Sequence, residues 1–427
     1  MPAIDEKIIE SMRSRRRDFH RYPETGWTEF RTTAKIAGIL ESLGYRVHFS
    51  SEFLRPEDVM GRKIDVEAER SRAIAQGADR ETVTRIGEYT GLYADLDTGR
   101  PGPFSALRFD IDCVDTTEAA DAGHFPAREG FASVNAGRMH SCGHDGHTAV
   151  GLALAELLRR DVEAGALSGR VRLIFQPAEE GVRGGYAMMK AGIVEGADYF
   201  FAMHLGLGKP TGEVFGGVNG FLCTTKLDAD FEGVGAHAGG EPHKGKNALL
   251  AAATASLNLH AIAPHSGGAT RINVGVLRAG EGRNVVPPKA HMKVETRGET
   301  NEIATYVYDR AVQILEGAAL MHGVKLTVGK QGEANAADST PELAQLVTDA
   351  ASRADGVVLA GAARQMAGSD DACWLMKQVQ DGGGQATYVG IGATSAAGHH
   401  NDRFDFDEAA MPIALGVLCE AVRTTNG

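Results

Sequence analysis

Phe104-Ser105-Ala106-Leu107-Arg108-Phe109-Asp110-Ile111-Asp112 decides the architecture. Its apolar run reads as a strand, and it closes on two carboxylates at alternate positions, which share one side of an extended chain. Val171-Arg172-Leu173-Ile174-Phe175 repeats the pattern and runs into Gln176-Pro177-Ala178-Glu179-Glu180-Gly181. Tyr199-Phe200-Phe201-Ala202-Met203 runs into His204, and Ala386-Thr387-Tyr388-Val389-Gly390-Ile391 precedes a loop with His399-His400-Asn401-Asp402. Strands alternating with helical stretches predict an α/β fold, a mostly parallel sheet flanked by helices, whose ligands bind beyond the carboxyl ends of the strands. The acidic and imidazole groups all fall at such ends, so the strand ends converge on one rim.

Between the first two strands lies Met139-His140-Ser141-Cys142-Gly143-His144-Asp145-Gly146-His147, which concentrates a thiol, three imidazoles and a carboxylate before an apolar, helix-favouring run from Thr148 to Leu158. Thiolate and imidazole are favoured zinc-type ligands, and the cluster sits where a loop enters a helix. Asp145 and His147 are further ligands or partners of ligands. Two metal ions about 3.5–4 Å apart need roughly six ligand positions, some shared, and activate a water between them. Cys142, His144, Glu180, His204 and His400 offer those positions. One carboxylate must stay off the metals to take a proton and pass it on. Glu179 is the candidate, provided the loop turns between Glu179 and Glu180, and Gly181 makes that turn cheap.

Residues 221–333 read differently. Their strand and helix patterns follow the β-α-β-β-α-β order of a ferredoxin-like α+β unit, inserted into a domain built from residues 1–220 and 334–427. Ahead of the first core strand, residues 4–20 and 28–43 read as amphipathic helices, and 50–88 as a charged insertion with a surface helix at Asp65 to Ala75. The basic run Arg13 to Arg17 reads as a solvated helix face.

The chain has 427 residues, 43% of them hydrophobic, enough for two cores, and its net charge of -12 argues against a nucleic-acid partner. No window reaches the ~18 apolar residues of a membrane helix. Five scattered cysteines without a CxxC argue for reduced thiols, and a cytoplasmic location is expected. Gly390-Ile391-Gly392 lacks the third glycine of a dinucleotide loop, and there is no HExxH or GxSxG.

Tyr22-Pro23-Glu24, Asp110-Ile111-Asp112, His140 to His147, Gln176 to Glu180, Ala202-Met203-His204, Gly235-Ala236-His237-Ala238, Arg283-Asn284-Val285-Val286-Pro287, Gly368-Ser369-Asp370-Asp371 and His400-Asn401 occur in that order. With these motifs the chain resembles the aminoacylase/carboxypeptidase family of co-catalytic dimetal amidohydrolases, in the branch with Cys in its metal loop. The resemblance implies Cys142, His144, Glu180, His204 and His400 as ligands of two Mn2+ or Zn2+ ions. It implies Glu179 as general base, Asp112 as a carboxylate beside the metals, and an inserted lid and dimerisation domain. His237 and Asn284 of that domain would stabilise the oxyanion, often across a dimer interface. The segment 50–88, Glu129 to Gly137 and His399-His400-Asn401 narrow the resemblance to enzymes that cleave p-aminobenzoyl-glutamate, implying a homodimer or a heteromer with a second, paralogous subunit. A glutamate product needs cations for its carboxylates, and Arg271, Arg283 and Arg297 are the candidates. The alternatives are a broad N-acyl-amino-acid deacylase and a silent metal-binding paralogue. Two departures, Cys113-Val114-Asp115 after Asp112 and Asp402 after Asn401, alter the pocket without removing a ligand.

Overall fold

The first helix, Glu6–Arg21, begins where Asp5 caps the Lys7 amide, and it carries Glu6 in its first turn and His20 and Arg21 in its last. Ile8, Met12, Arg16, Phe19 and His20 form one buried stripe. That stripe corrects the expectation of a solvated basic face. Arg16 is wholly buried, with Nε 2.9 Å from Asp145, Nη2 2.5 Å from Asp405 and Nη1 3.3 Å from Glu408. Three carboxylates supply what water would otherwise provide to a guanidinium, so the position inside is tolerated. Neighbouring Arg15 meets Glu156 at 2.6 Å.

In the computed structural model, which describes residues 4–366 and 368–427, the chain builds two main sheets. The larger places strands Arg46–Phe49, Leu92–Asp97, Arg170–Gln176, Phe104–Asp110, Tyr199–Leu205, Gln385–Ile391, Glu213–Phe215 and Leu359–Gly361 side by side in that order. The four central strands run parallel, and the flanking Leu92–Asp97 and Glu213–Phe215 run against them. The expected parallel centre is therefore present, with antiparallel edges. Both faces are covered. Leu107, Phe109, Phe175, Phe201 and Val389 enter one apolar cluster, while Ala106, Ile174, Phe200, Ala202 and Tyr388 enter the other. This is the period-two alternation of a doubly covered sheet, and each buried phenylalanine contributes about 1.5–3 kcal/mol.

Parallel strands end together, so Asp110, Gln176, His204 and Gly390 come to one edge, with Asp110 opposite Gln176 and His204 opposite Gly390 in register. The helix His144–Glu163 starts at that edge, entered through Gly143 at φ 93°. In the segment 50–88, the helix Val66–Ala75 is capped by Asp65, which accepts from the Ala68 amide.

The smaller sheet orders strands Lys325–Ala334, Cys223–Glu232, Lys289–Gly298 and Thr270–Ala279, every pair antiparallel. Helices Ala248–Leu259 and Asn301–His322 pack on one face, over Leu227, Ala229, Phe231, Met292 and Val294. The opposite face is polar. Lys226, Asp228, Asn273, Lys293 and Glu295 line a cleft shared with Glu180 and Gly181 of the larger sheet's rim. The strands that enter and leave this unit pair with each other, Thr224 against Ala334.

Beneath the loop 139–147, His20 lies between Asp145 and Glu118, 2.9 Å from each. Burial pushes its pKa down, but hydrogen bonds to Asp145 and Glu118 outweigh burial and raise it to about 9. A raised folded pKa stabilises below the unfolded value and is lost as pH climbs through the folded one. Between pH 6.5 and 9 the wild type is expected to lose up to about 3 kcal/mol more stability to urea than His20→Gln loses. Equal losses in both would contradict the pairing.

Candidate active site

The site is organised by a turn. After strand Arg170–Gln176 the chain passes through Ala178 at φ 53°, Gly181 at φ 88° and Val182 at φ 57°, a run of left-handed residues that only glycine adopts without strain. Hydrogen bonds hold it there. Glu29 Oε1 accepts the Ala178 amide at 2.8 Å, Asp112 Oδ1 the Glu179 amide at 3.0 Å, and Asp112 Oδ2 the Glu180 amide at 2.9 Å. Three successive N–H groups thus bind two carboxylates, as an anion-binding nest does. The consequence is that both glutamates face the cleft, with carboxylate oxygens within 4.8 Å of each other, but meet different neighbours. Glu179 Oε2 lies 3.9 Å from His144 Nε2, whereas Glu180 Oε1 lies 3.2 Å from His400 Nε2.

The imidazoles are set the same way, by the nitrogen that does not face the site. His144 Nδ1 is 2.9 Å from the Asp112 carbonyl and His204 Nδ1 is 2.7 Å from the Leu205 carbonyl. A carbonyl only accepts, so each Nδ1 carries the hydrogen. His204, whose pKa is held well down, presents a lone pair at Nε2. For His144, Asp110 and Cys142 outweigh burial and raise the pKa well above its ordinary value, so its Nε2 offers a lone pair only once that proton leaves. His204 Nε2 lies 3.6 Å from Cys142 Sγ, and His144 Nε2 is buried without a hydrogen bond. His147 is different. Its Nδ1 meets Asp110 at 2.5 Å and its Nε2 accepts the Leu205 amide at 3.0 Å, so both nitrogens are spent on holding the rim together. Asp145 is likewise spent on Arg16 and His20.

Charge in this cleft is dense and mostly negative. Burial, then Asp370, Glu180 and Asp371, push the Glu179 carboxyl well above the usual range. Glu180 is held low against burial by His400 and His144. Burial, then His147 and His399, keep His204 neutral by holding its pKa well down, and burial raises the Cys142 thiol. Arg108 is the compensating cation beneath, reaching Asp110 at 2.6 Å, Asp371 at 3.1 Å and Gln176 at 2.8 Å. Tyr388 donates to Asp370 at 2.6 Å. Sequence reasoning assigned no role to Arg108, Glu29 or Tyr388. A charge inside the apolar Leu107-Arg108-Phe109 run was the available signal, because a buried strand keeps an arginine only for a partner.

These residues fit two divalent cations. Cys142, His204 and His399 bring donor atoms within 4.8 Å of one another, and so do Cys142, Glu180 and His400, with Cys142 common to both groups. His144, Glu179 and Glu180 form a third such group. His144 Nε2 is buried without a hydrogen-bond partner, Glu180 Oε1 has His400 Nε2 beside it at 3.2 Å, and a thiol raised by burial becomes a thiolate only beside a cation. His399 was not among the expected ligands. Mixed thiolate, imidazole and carboxylate donors suit Zn2+ and its first-row neighbours.

Cys142, Glu179, Glu180, His204 and His400 line one cleft of about 470 Å3 together with Arg297, Lys226 and Arg364. The other expected residues stand elsewhere in this chain. Arg271 is exposed on strand Thr270–Ala279, and Arg283 and Asn284 lie in an exposed turn. His237 is exposed too, its Nδ1 accepting the Gly240 amide at 2.9 Å, and the Asn284 carbonyl accepts the Ala238 amide at 2.9 Å.

Asp112 touches both glutamate amides, so Asp112→Asn leaves one of them facing an NH2 group. Metal affinity, measured by competition with a chelator, is expected to fall about 10–100-fold. Unchanged affinity would show that the turn holds without this carboxylate.

The pattern of the peptidase family M20/M25/M40 matches residues 106–424. The chain is 50% identical over 407 residues to one of the subunits of p-aminobenzoyl-glutamate hydrolase from Escherichia coli K12, covering 94% of this chain and 93% of that one. It is 48% identical over 425 residues to indole-3-acetyl-aspartic acid hydrolase of Enterobacter agglomerans, covering 98% and 97%. The crystal structure of the aminobenzoyl-glutamate utilization protein from Klebsiella pneumoniae superposes with a TM-score of 0.83 at 40% identity, over 98% of this chain and 96% of that one. With a doubly covered α/β sheet and a cleft lined by groups of candidate metal ligands, the chain belongs to the peptidase family M20/M25/M40 and is a hydrolase acting on amide bonds.

Proposed function

We propose that this chain hydrolyses p-aminobenzoyl-glutamate, releasing p-aminobenzoate and glutamate, in a site holding two Mn2+ or Zn2+ ions. The observation that carries the reading is the cationic wall of the cleft. Lys226, Arg297 and Arg364 line the cleft with Glu179 and Glu180; Arg297 pairs with Glu295 at 3.1 Å, while Lys226 and Arg364 make no ion pair among the described residues. A free glutamate product has two carboxylates, and two or more cations beside an acidic metal centre suit a dicarboxylate. The names of both relatives point the same way, since glutamate and aspartate are each acidic amino acids.

Cys142, His144, Glu180, His204 and His400 are the proposed ligands, and the ions they hold supply Lewis-acid activation of water and of the amide carbonyl. Glu179 does the proton work. It takes the proton of the attacking water and hands it to the amide nitrogen as the C–N bond breaks. Its raised pKa matches a group that must hold a proton for part of the cycle. Asp112 holds the Glu179 and Glu180 amides throughout.

We read residues 221–333 as a ferredoxin-like lid and dimerisation domain inserted between 1–220 and 334–427. Lys226 and Arg297 are its contribution to the cleft. The role we assign to His237 and Asn284, both exposed on the same unit, is to stabilise an oxyanion in the cleft of a partner, either another copy of this chain or a second, paralogous subunit. A cytoplasmic setting suits a reduced Cys142, and no helix among the described residues is long and apolar enough to cross a membrane.

The test is specificity. The purified chain, supplied with Mn2+ or Zn2+ and with a paralogous partner where one is encoded, should turn over p-aminobenzoyl-glutamate with higher kcat/KM than p-aminobenzoyl-alanine or N-acetylglutamate. Replacing Lys226 and Arg364 with Met should cost roughly 10–100-fold on the glutamate amide and little on the alanine one. If p-aminobenzoyl-glutamate is the poorest of the three, the substrate reading fails.

A further inference from the structure

Two histidines stand side by side in the loop that follows strand Gln385–Ile391. In extended chain, successive side chains point apart, so one of the pair would leave the site. Here the backbone prevents that. His400 adopts φ 64°, a left-handed conformation uncommon outside glycine, asparagine and aspartate, and its amide donates to the Ser141 carbonyl at 2.8 Å. The fold pins the loop to the metal loop, and both rings arrive beside Cys142. His400 groups with Cys142 and Glu180, and His399 groups with Cys142 and His204.

The surroundings of His399 are built for its ring. It packs against Phe404 at 4.9 Å between centroids and meets His204 edge-on at 5.3 Å. Gly206, at φ 89°, lies beneath it, and a Cβ at that position would come within 2.8 Å of His399 Nε2. A glycine there leaves the imidazole its room. Despite this confinement, His399 Nδ1 is buried and makes no hydrogen bond. The His204 Nδ1 is committed to the Leu205 carbonyl, which leaves Nε2 toward Cys142. A thiol and two imidazoles, one with an unmet buried nitrogen, make the donor set of a soft-to-borderline cation.

We propose that His399 is a ligand of the cation that Cys142 and His204 hold, so that the two adjacent histidines serve different ions. The inference rests on the metal reading above. It predicts that one ion has an additional protein donor and is correspondingly harder to remove.

Cobalt(II) bound to the full chain is the probe, because its visible absorption follows the number of ligands and its near-ultraviolet band reports the thiolate bond. The wild type should bind two cobalt ions per chain. His399→Gln, and His399→Asn as a second variant, should bind one of them at least ~100-fold more weakly against a chelator and alter the visible bands. Matching melting temperatures of the metal-free proteins would show that the fold is intact. Unchanged affinity and spectrum in both variants overturn the proposal, and so does a loss of turnover with metal binding untouched, which would make His399 a substrate contact. Cys142→Ser separates the two levels. If it too leaves cobalt binding unchanged, the metal reading itself fails.

Discussion

The carboxylate of Asp112 binds two consecutive backbone amides, and the chemistry of the site depends on that contact. Without an anion at this point the left-handed run at Ala178, Gly181 and Val182 has nothing to offset its strain, and the chain after Pro177 would relax toward extended backbone. An extended Glu179-Glu180 pair diverges and points one side chain out of the cleft. The nest keeps both inside and gives them unequal neighbours, Asp370 and Asp371 for one and His400 for the other. One sequence dipeptide thereby acquires two electrostatic environments.

Much of the rim was legible because chemistry and period coincide there. Apolar strands that stop at Asp110, Glu179 and His204 announce a parallel sheet and its ligand edge together, and Cys142 with His144 announces a metal. What stayed hidden were partners supplied from distant positions. Glu29 reaches Ala178 across 149 residues of chain, and Arg16 reaches Asp405 across 389. Neither has a local pattern. Arg16 was misread for that reason, since a run of arginines on a helix looks solvated until the carboxylates that bury one of them are in place. Of the arginines expected to meet the substrate, only one reaches the cleft. Arg297 lines the cleft, but Lys226 sits on an alternating strand whose polar side faces inward across a domain boundary, and strand period alone does not say what covers that side.

The same economy recurs around the histidines. His144, His147 and His204 differ little in sequence context, yet backbone carbonyls take only the Nδ1 of His144 and of His204, while His147 spends both nitrogens on Asp110 and Leu205. Proposed ligand and structural histidine are separated by where the second nitrogen goes. That distinction belongs to the folded rim.

The central claim, that the turn assigns proton transfer to Glu179 and metal binding to Glu180, is tested by comparing Glu179→Gln with Glu180→Gln for metal content and turnover. Glu179→Gln is predicted to keep both ions and lose turnover by at least ~100-fold, while Glu180→Gln loses an ion. Loss of metal from Glu179→Gln with full metal in Glu180→Gln would contradict it.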